Sequence, residues 1–167
     1  MPHPAALTDT ELLQQCDVEF LRRSGPGGQH RNKTETAVRL KHVESGIVAV
    51  AAERRSQAEN RRVALKRLRR KLALNIRLPV EDDRDPSEVW QSRCQSGRIS
   101  VGADHADFPA LLAEAMDLLA SCGFEMQPAA ERLGTSASQL IKLLRKEPAA
   151  LRTVNIHRAT GGLRRLR

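Results

Sequence analysis

Apolar residues recur along this chain with two different periods, and the change from one to the other divides it. Near the N-terminus, Thr8-Asp9-Thr10-Glu11 precedes Leu12 and Leu13. A threonine followed three residues later by a glutamate is a capping-box pattern, so a short helix is predicted there. From Asp17 to Arg22 the period becomes two, with Val18 and Phe20 set against Glu19 and Arg22, as in a half-buried strand. Ala37 to Lys41 alternates again, with Val38 and Leu40 on one side, and Ile47 to Val50 is a third β-prone run. Glu44-Ser45-Gly46 between these two reads as a hairpin turn. The pattern predicts a small antiparallel sheet.

Residues 54 to 75 return to the helical period, with Val63, Leu65, Leu68, Leu72 and Ile76 as the apolar stripe that would cover the sheet. Leu78-Pro79-Val80 stops this helix, and Glu81-Asp82-Asp83-Arg84-Asp85-Pro86 reads as an acidic, proline-bounded linker. Trp90 is expected to pack on a neighbour. Pro109 to Ser121 repeats Leu111, Leu112, Ala115, Leu118 and Leu119 along one helical face and stops at Gly123. Ala129 to Leu144 then has the form of a helix-turn-helix: Ala130 is small, Gly134 makes the turn, and Ser136 with Gln139 repeats the capping-box spacing. The expected fold class is α+β, a small antiparallel sheet on a long basic helix followed by an all-α module. The expected division is 1–78 for the sheet and helix, 79–103 for the linker, 104–148 for the helical module and 149–167 for a basic tail.

Charge changes this picture more than length does. The chain has 167 residues with 28 Lys and Arg against 20 Asp and Glu, a net charge of +8, which favours a polyanionic partner. Aromatic residues make up only 2% and tyrosine is absent, so a base-stacking platform is not expected and phosphate or groove contacts to folded RNA fit better. The cations cluster. Glu59 is the only acid between Ser56 and Ile76, among Arg61, Arg62, Lys66, Arg67, Arg69, Arg70 and Lys71. A helix with so few acidic partners repels itself in water, which points to a phosphate-bearing surface rather than a merely solvated face. The tail carries Arg152, His157, Arg158, Arg164, Arg165 and Arg167 with no acid after Glu147, and Gly161-Gly162 would make it flexible. A basic arm inserted into RNA is the functional reading of that segment. The RNA-binding candidates are Lys33, Arg39, Arg61, Arg62, Arg67, Arg69, Arg70, Arg158, Arg164 and Arg165.

Cys16, Cys94 and Cys122 are odd in number and widely spaced, which predicts free thiols in a reducing compartment and no metal site. No apolar run approaches the length of a membrane span, and the N-terminus has Asp9 and Glu11 early and no arginine. A cytoplasmic protein with no membrane partner and no cofactor is expected.

The chemistry lies between the first two predicted strands. Ser24-Gly25-Pro26-Gly27-Gly28-Gln29-His30 forces the chain to turn, and glycine pairs reach backbone shapes closed to other residues. The amide of Gln29 is neither acid nor base near neutral pH, so it cannot be the general base of a hydrolase. It can position a water and a leaving group, while a backbone N–H donates to a developing oxyanion.

Gly27-Gly28-Gln29 followed by His30, Asn32-Lys33-Thr34 and Ala37-Val38-Arg39-Leu40 resembles the catalytic segment of the class I peptide chain release factors. Downstream, Arg55-Ser56-Gln57, Asn60-Arg61, Ala64-Leu65 and Leu68-Arg69 resemble the helix that closes that family's catalytic domain. Arg31 stands where the family usually has an aliphatic residue. The resemblance implies ribosome-dependent hydrolysis of the ester joining a nascent peptide to tRNA, in the peptidyl-transferase centre of the large subunit. Gly27 and Gly28 would shape the loop, the backbone N–H of Gln29 would stabilise the transition state, and its side chain would admit water and exclude bulkier nucleophiles. It also implies methylation of the Gln29 amide by a glutamine methyltransferase, and gives His30 no role as a base. Complete release factors carry further domains that read stop codons, for which this chain has too few residues. The expectation is therefore a monomeric, codon-independent rescue factor that acts on peptidyl-tRNA and large-subunit rRNA, its tail sensing an empty mRNA channel in the small subunit. Two alternatives stay open: a helix-turn-helix module binding RNA or DNA with an inert loop, and a factor acting on separated large subunits that carry peptidyl-tRNA.

Overall fold

Thr8 and Glu11 close the first helix reciprocally. The Thr8 hydroxyl accepts from the Glu11 N–H at 3.3 Å and the Glu11 carboxylate accepts from the Thr8 N–H at 2.9 Å, capping α1 (Asp9–Gln14). The computed structural model describes residues 2–22, 36–81 and 84–167, and the chain divides into two units, Met1–Leu72 and Ala73–Arg167. In the first, β1 (Cys16–Leu21), β2 (Ala37–His42) and β3 (Val48–Ala51) form an antiparallel sheet in that order. Its register sets Leu21 opposite Ala37 and Val38 opposite Ala51. The turn between β2 and β3 places Gly46 at φ 68°, a backbone shape that favours glycine.

The core follows the alternation. Val38 and Leu40 on β2 and Ala49 and Ala51 on β3 are buried, as are Ala64, Leu65, Leu68 and Leu72 of α2 (Gln57–Asn75) and Leu12 of α1. Strand β1 is an edge, and its expected inward face is shallow: Val18 is half-buried, while Phe20 stays 46% exposed near the end of the ladder. Helix α2 lies along β3, where the Arg67 guanidinium donates to the Val50 carbonyl at 2.8 Å and the Lys71 ammonium to that of Val48 at 2.7 Å. His42 is buried at the end of β2. Its Nδ1 accepts from the Ser45 N–H at 3.3 Å, which leaves Nε2 to donate to Gln15 Oε1 at 3.2 Å. Burial lowers its pKa from the ordinary histidine value, against the opposing charge of Glu44.

The long helix begins later than its charge pattern suggests, and the cause is Asn60. This residue is fully buried. Its amide NH2 donates to the carbonyls of Thr36 at 2.6 Å and Arg54 at 3.0 Å, and its Oδ1 accepts from the Arg54 N–H at 2.9 Å. With both backbone groups of Arg54 bonded to a side chain, residues 53–56 bend rather than coil, and the Asn60 N–H bonds the Ser56 carbonyl at 3.0 Å as the helix opens. Asn60, Ala64, Leu68 and Leu72 recur every four residues and are all buried, so a polar residue heads the apolar stripe. Val63 and Ile76, expected in that stripe, are only half-buried, and Ile76 lies past the end of the helix.

The second unit is built around α4 (Phe108–Ser121), on which Phe108, Leu111, Leu112, Ala115, Met116 and Leu119 are fully buried. The segment 79–103, expected as a linker, carries helix α3 (Glu88–Arg93) and a hairpin of β4 (Cys94–Gln95) and β5 (Arg98–Ile99). Trp90 explains the difference. It is 1% exposed and its Nε1–H donates to the Leu133 carbonyl at 2.8 Å, while Ser87 at the start of α3 donates N–H and hydroxyl to the Glu114 carboxylate at 2.7 and 2.5 Å. Acidic and proline residues near 81–86 mask this anchor in the pattern. The helix-turn-helix forms as α5 (Met126–Arg132) and α6 (Ala137–Arg145), with Gly134 at φ 62° in the turn and the Ser136 hydroxyl accepting from the Gln139 N–H.

The tail also differs from a flexible arm. Helix α7 (Pro148–Thr160) buries Ala150 and Val154, four residues apart, and the chain then folds back on it. Asn155 holds Leu166 by two bonds, donating to its carbonyl at 3.1 Å and accepting from its N–H at 2.7 Å, and Arg158 donates to the Arg164 carbonyl at 2.9 Å. The density of arginines hid a four-residue apolar period.

The buried polar groups of both units have measurable consequences. Asn60→Ala leaves the Arg54 N–H and the Thr36 carbonyl without their partner, and should cost about 2–3 kcal/mol in denaturant unfolding. Asp117, buried on α4, accepts from Arg77 and from the Leu78 N–H, both at 3.1 Å. Burial pushes its carboxyl up to about 6 from 3.8, and lowers the pKa of Arg77. The folded state thus holds this proton more tightly than the unfolded chain, so the carboxyl's contribution to stability is full below about pH 4 and is lost as pH rises through about 6. Asp117→Asn keeps the acceptor oxygen and removes the titration. Thermal melts of parent and variant from about pH 4 to 7 should converge in slope only if another group carries the dependence.

Candidate functional site

Pairing of Leu21 with Ala37 brings the two ends of the segment between β1 and β2 side by side at one end of the sheet. Gly27, Gly28, Gln29 and Lys33 belong to that segment and lie outside the described residues. The structure describes what holds its ends. On one side the Thr36 carbonyl, the residue before β2, is bonded to the buried Asn60 amide. Next to the paired ends, Glu19 and Arg39 face each other across the strands and form an ion pair at 2.7 Å.

Around Asn60 the cations fall into two groups. Arg67 donates to the Glu53 carboxylate at 2.6 Å as well as to the Val50 carbonyl, and Arg69 reaches the carbonyls of Ala5 and Leu7 and the Asp9 carboxylate, the last at 2.7 Å. The Arg69 side chain is only 13% exposed. These two residues, read as RNA contacts from charge alone, tie α2 to the rest of its own unit. Arg54, Arg55, Arg61 and Arg62 are exposed, and among the described residues their side chains have no hydrogen-bond or ion-pair partner. Arg70 is half-buried. All four exposed arginines lie within two residues of Asn60 or in the bend whose backbone it holds, so one buried amide places both a loop end and a cationic edge.

Nothing among the described side chains near that edge is poised as a base. The Glu53 carboxylate is held below the usual carboxylate range by the backbone N–H groups of Ala52 and of its own residue, and by Arg67. His42 spends both ring nitrogens on Gln15 and Ser45. The arrangement supplies position and positive charge.

In the second unit, Arg158 donates to the carbonyls of Phe124 at 2.6 Å and Arg164, and the His157 ring stacks on Phe124 at a centroid distance of 4.3 Å. Arg164 and Arg165 are exposed on the segment that folds back. Sequence reasoning quoted Asn60 only as part of a motif. The signal that distinguishes it is its place in the four-residue line Asn60-Ala64-Leu68-Leu72.

A family model described as the RF-1 domain matches residues 11–105. Among curated proteins, peptide chain release factor 1 of Chlorobaculum tepidum is 54% identical over 92 residues, covering 55% of this chain and 25% of that protein. Peptide chain release factor 1 of Chloroherpeton thalassium is 40% identical over 102 residues, 60% of this chain and 28% of the relative. Peptide chain release factor 2 of Lactiplantibacillus plantarum is 53% identical over 73 residues, 43% and 19%. The chain thus spans between a fifth and somewhat over a quarter of the length of these relatives. Because the matched residues make up more than half of it and include both the Gly-Gly-Gln segment and the Asn60 helix, the chain belongs to the RF-1 domain family.

Proposed function

We propose that this protein hydrolyses the ester between a nascent peptide and tRNA in the peptidyl-transferase centre of the ribosome, without reading a stop codon. The observation that carries the reading is Gly27-Gly28-Gln29 between two strands paired at Leu21 and Ala37, in a stretch matched by the RF-1 domain. In the proposed step a water oxygen attacks the ester carbonyl, the carbonyl–ribose bond breaks, and the water's proton ends on the departing ribose oxygen. The Gln29 N–H donates to the oxyanion of the tetrahedral intermediate, and its side-chain amide leaves room for water but not for a larger nucleophile. The same amide is the proposed target of a glutamine methyltransferase. Arg54, Arg55, Arg61 and Arg62 supply the contact to large-subunit rRNA, joined in this proposal by Lys33, Arg39 and Arg70 and, in the second unit, by Arg158, Arg164 and Arg165.

Independence from stop codons is supported by the character of residues 106–167, beyond the family match, where α4 to α7 supply most of the helical second unit. The fold-back of residues 163–166 on α7 favours a second reading, action on separated large subunits carrying peptidyl-tRNA, because a tail bonded to its own helix is not extended toward an mRNA channel. The proposed location is the cytoplasm, and among the described residues no helix is long and apolar enough to cross a membrane.

Gly28→Ala should lower release from ribosomes carrying labelled peptidyl-tRNA by about a hundredfold or more while leaving ribosome binding near the parent's. Release at the parental rate would overturn the catalytic reading. Running the parent on intact ribosomes stalled on truncated mRNA, on stop-codon mRNA and on separated large subunits distinguishes the two rescue routes. Replacing Arg61 and Arg62 with alanine should weaken ribosome binding and reduce the magnitude of its salt slope by about two. Arg67→Ala and Arg69→Ala should instead appear first as lost thermal stability. Equal salt effects from the two pairs would mean that the ion pairs to Glu53 and Asp9 open on the ribosome.

A further inference from the structure

The β4–β5 hairpin is fastened to the helix-turn-helix by two hydrogen bonds and approaches its turn closely. Its two turn residues, Ser96 and Gly97, both have positive φ, 50° and 75°, the tight geometry of a two-residue hairpin loop. The Thr135 hydroxyl donates to the Gly97 carbonyl at 2.7 Å, the Ile99 N–H donates to Gln139 Oε1 at 3.4 Å, and a Cβ at position 97 would stand 3.7 Å from the Gly134 carbonyl. The hairpin therefore lies across the turn and the first turn of α6, and a groove runs between them.

That groove comprises two cavities of about 540 and 330 Å³ that share Arg98, Gln139 and Lys142. Arg145 and Lys146 extend the second. No carboxylate lines either cavity. Arg98 and Lys142 are exposed, and among the described residues neither side chain has a hydrogen-bond or ion-pair partner. Lys146 bonds the Val101 carbonyl, which fixes its direction without neutralising it, and Arg145 bonds a main-chain oxygen of Arg167. The other polar groups are small hydroxyls, among them Ser96 and Ser136.

We infer that this groove between the β4–β5 hairpin and α6 binds the phosphate backbone of an RNA helix. The lining has no aromatic side chain on which a base could stack. Gln139, the side chain suited to reading a base edge, is bonded to the Ile99 N–H. A DNA-reading helix-turn-helix puts the N-terminal residues of its second helix into the major groove, and here the hairpin lies against that end of α6 and bonds Gln139. Duplex RNA is read across a wide, shallow groove through phosphates and 2′-hydroxyls, which cations flanked by serine and threonine hydroxyls match. The choice of RNA over DNA also draws on the proposed ribosomal function, whereas the phosphate groove itself does not depend on it. Helices α4 to α7 lie beyond the residues matched by the RF-1 domain, so this surface joins a hairpin inside the match to a helix outside it.

The test uses the full chain and a labelled RNA duplex of about 16 base pairs, with a DNA duplex of the same sequence, in anisotropy titrations across a range of salt. Arg98→Gln combined with Lys142→Gln should lower RNA affinity about tenfold and reduce the magnitude of the salt slope by about two. Both positions are exposed, and an unchanged melting temperature confirms that the fold is kept. Gly28→Ala, which addresses release alone, should bind the duplex as the parent does, so failure of the release reading leaves this result intact. Unchanged affinity and slope in the double variant would overturn the groove. Equal or tighter binding to DNA, with the same loss on substitution, would overturn the choice of RNA.

Discussion

A single buried amide organises the first unit. Asn60 makes three hydrogen bonds from a fully buried position, two to Arg54 and one to Thr36. Each partner is a backbone group that neither the sheet nor α2 pairs, and burying such groups without a bond costs more than a typical bond contributes. An apolar residue there would strand the Arg54 N–H and two carbonyls, and an ionised aspartate would have no donor for those carbonyls. The asparagine amide carries two N–H donors and an acceptor oxygen on one short side chain, which is what these three partners need. Through it, the residue that leads into β2 and the bend that leads into α2 are fixed to each other, although 24 residues separate Thr36 from Asn60 in the chain.

The basic helix shows that charge counts alone do not separate cations bonded within the fold from those left at the surface. Arg69 is 13% exposed and bonds two carbonyls and Asp9. A long cationic side chain laid along its own domain gains from its buried stem as well as its bonds, so the density of arginines on α2 serves the fold and the surface together. The exposed arginines gather at the N-terminal end of the helix, where the helix dipole is positive and gives them no support. An outside anion would relieve the repulsion there. That electrostatic cost is a better pointer to a phosphate surface than the total charge.

Much of the fold was legible because the local signals agree. Thr8 and Glu11 state a helix start, the alternation around Val38 and Leu40 states a strand, and Ser136 with Gln139 states the second helix of the helix-turn-helix; each forms as read. What failed were segments whose anchor is distant. Trp90 is held by the Leu133 carbonyl, 43 residues away, so 79–103 reads as a linker until its partner is known. Ala150 and Val154 make a thin apolar line inside an arginine-rich tail, and only the Asn155–Leu166 clasp reveals that the end of the chain is docked. For the site, the Gly-Gly-Gln motif stood out because its composition is incompatible with regular structure. The division of labour among cations did not, because a strut and a ligand-binding arginine are the same letter.

Chemistry and affinity are separated along this chain by their physical nature. Gln29 and its neighbouring glycines are uncharged, so in the proposed reaction they act only where a tetrahedral oxyanion forms and add little to ground-state binding. Attraction to a polyanion must come from groups that release counterions, and these lie elsewhere: the arginines around Asn60, and Arg98 with Lys142 beside the hairpin. Such a design lets the loop change rate without changing residence, and lets the cations change residence without changing rate. It also accords with the proposal of a folded-RNA partner for a basic protein with so few aromatic residues. Phosphates offer charge at regular spacing, and reading charge needs arginines and lysines on rigid elements rather than rings.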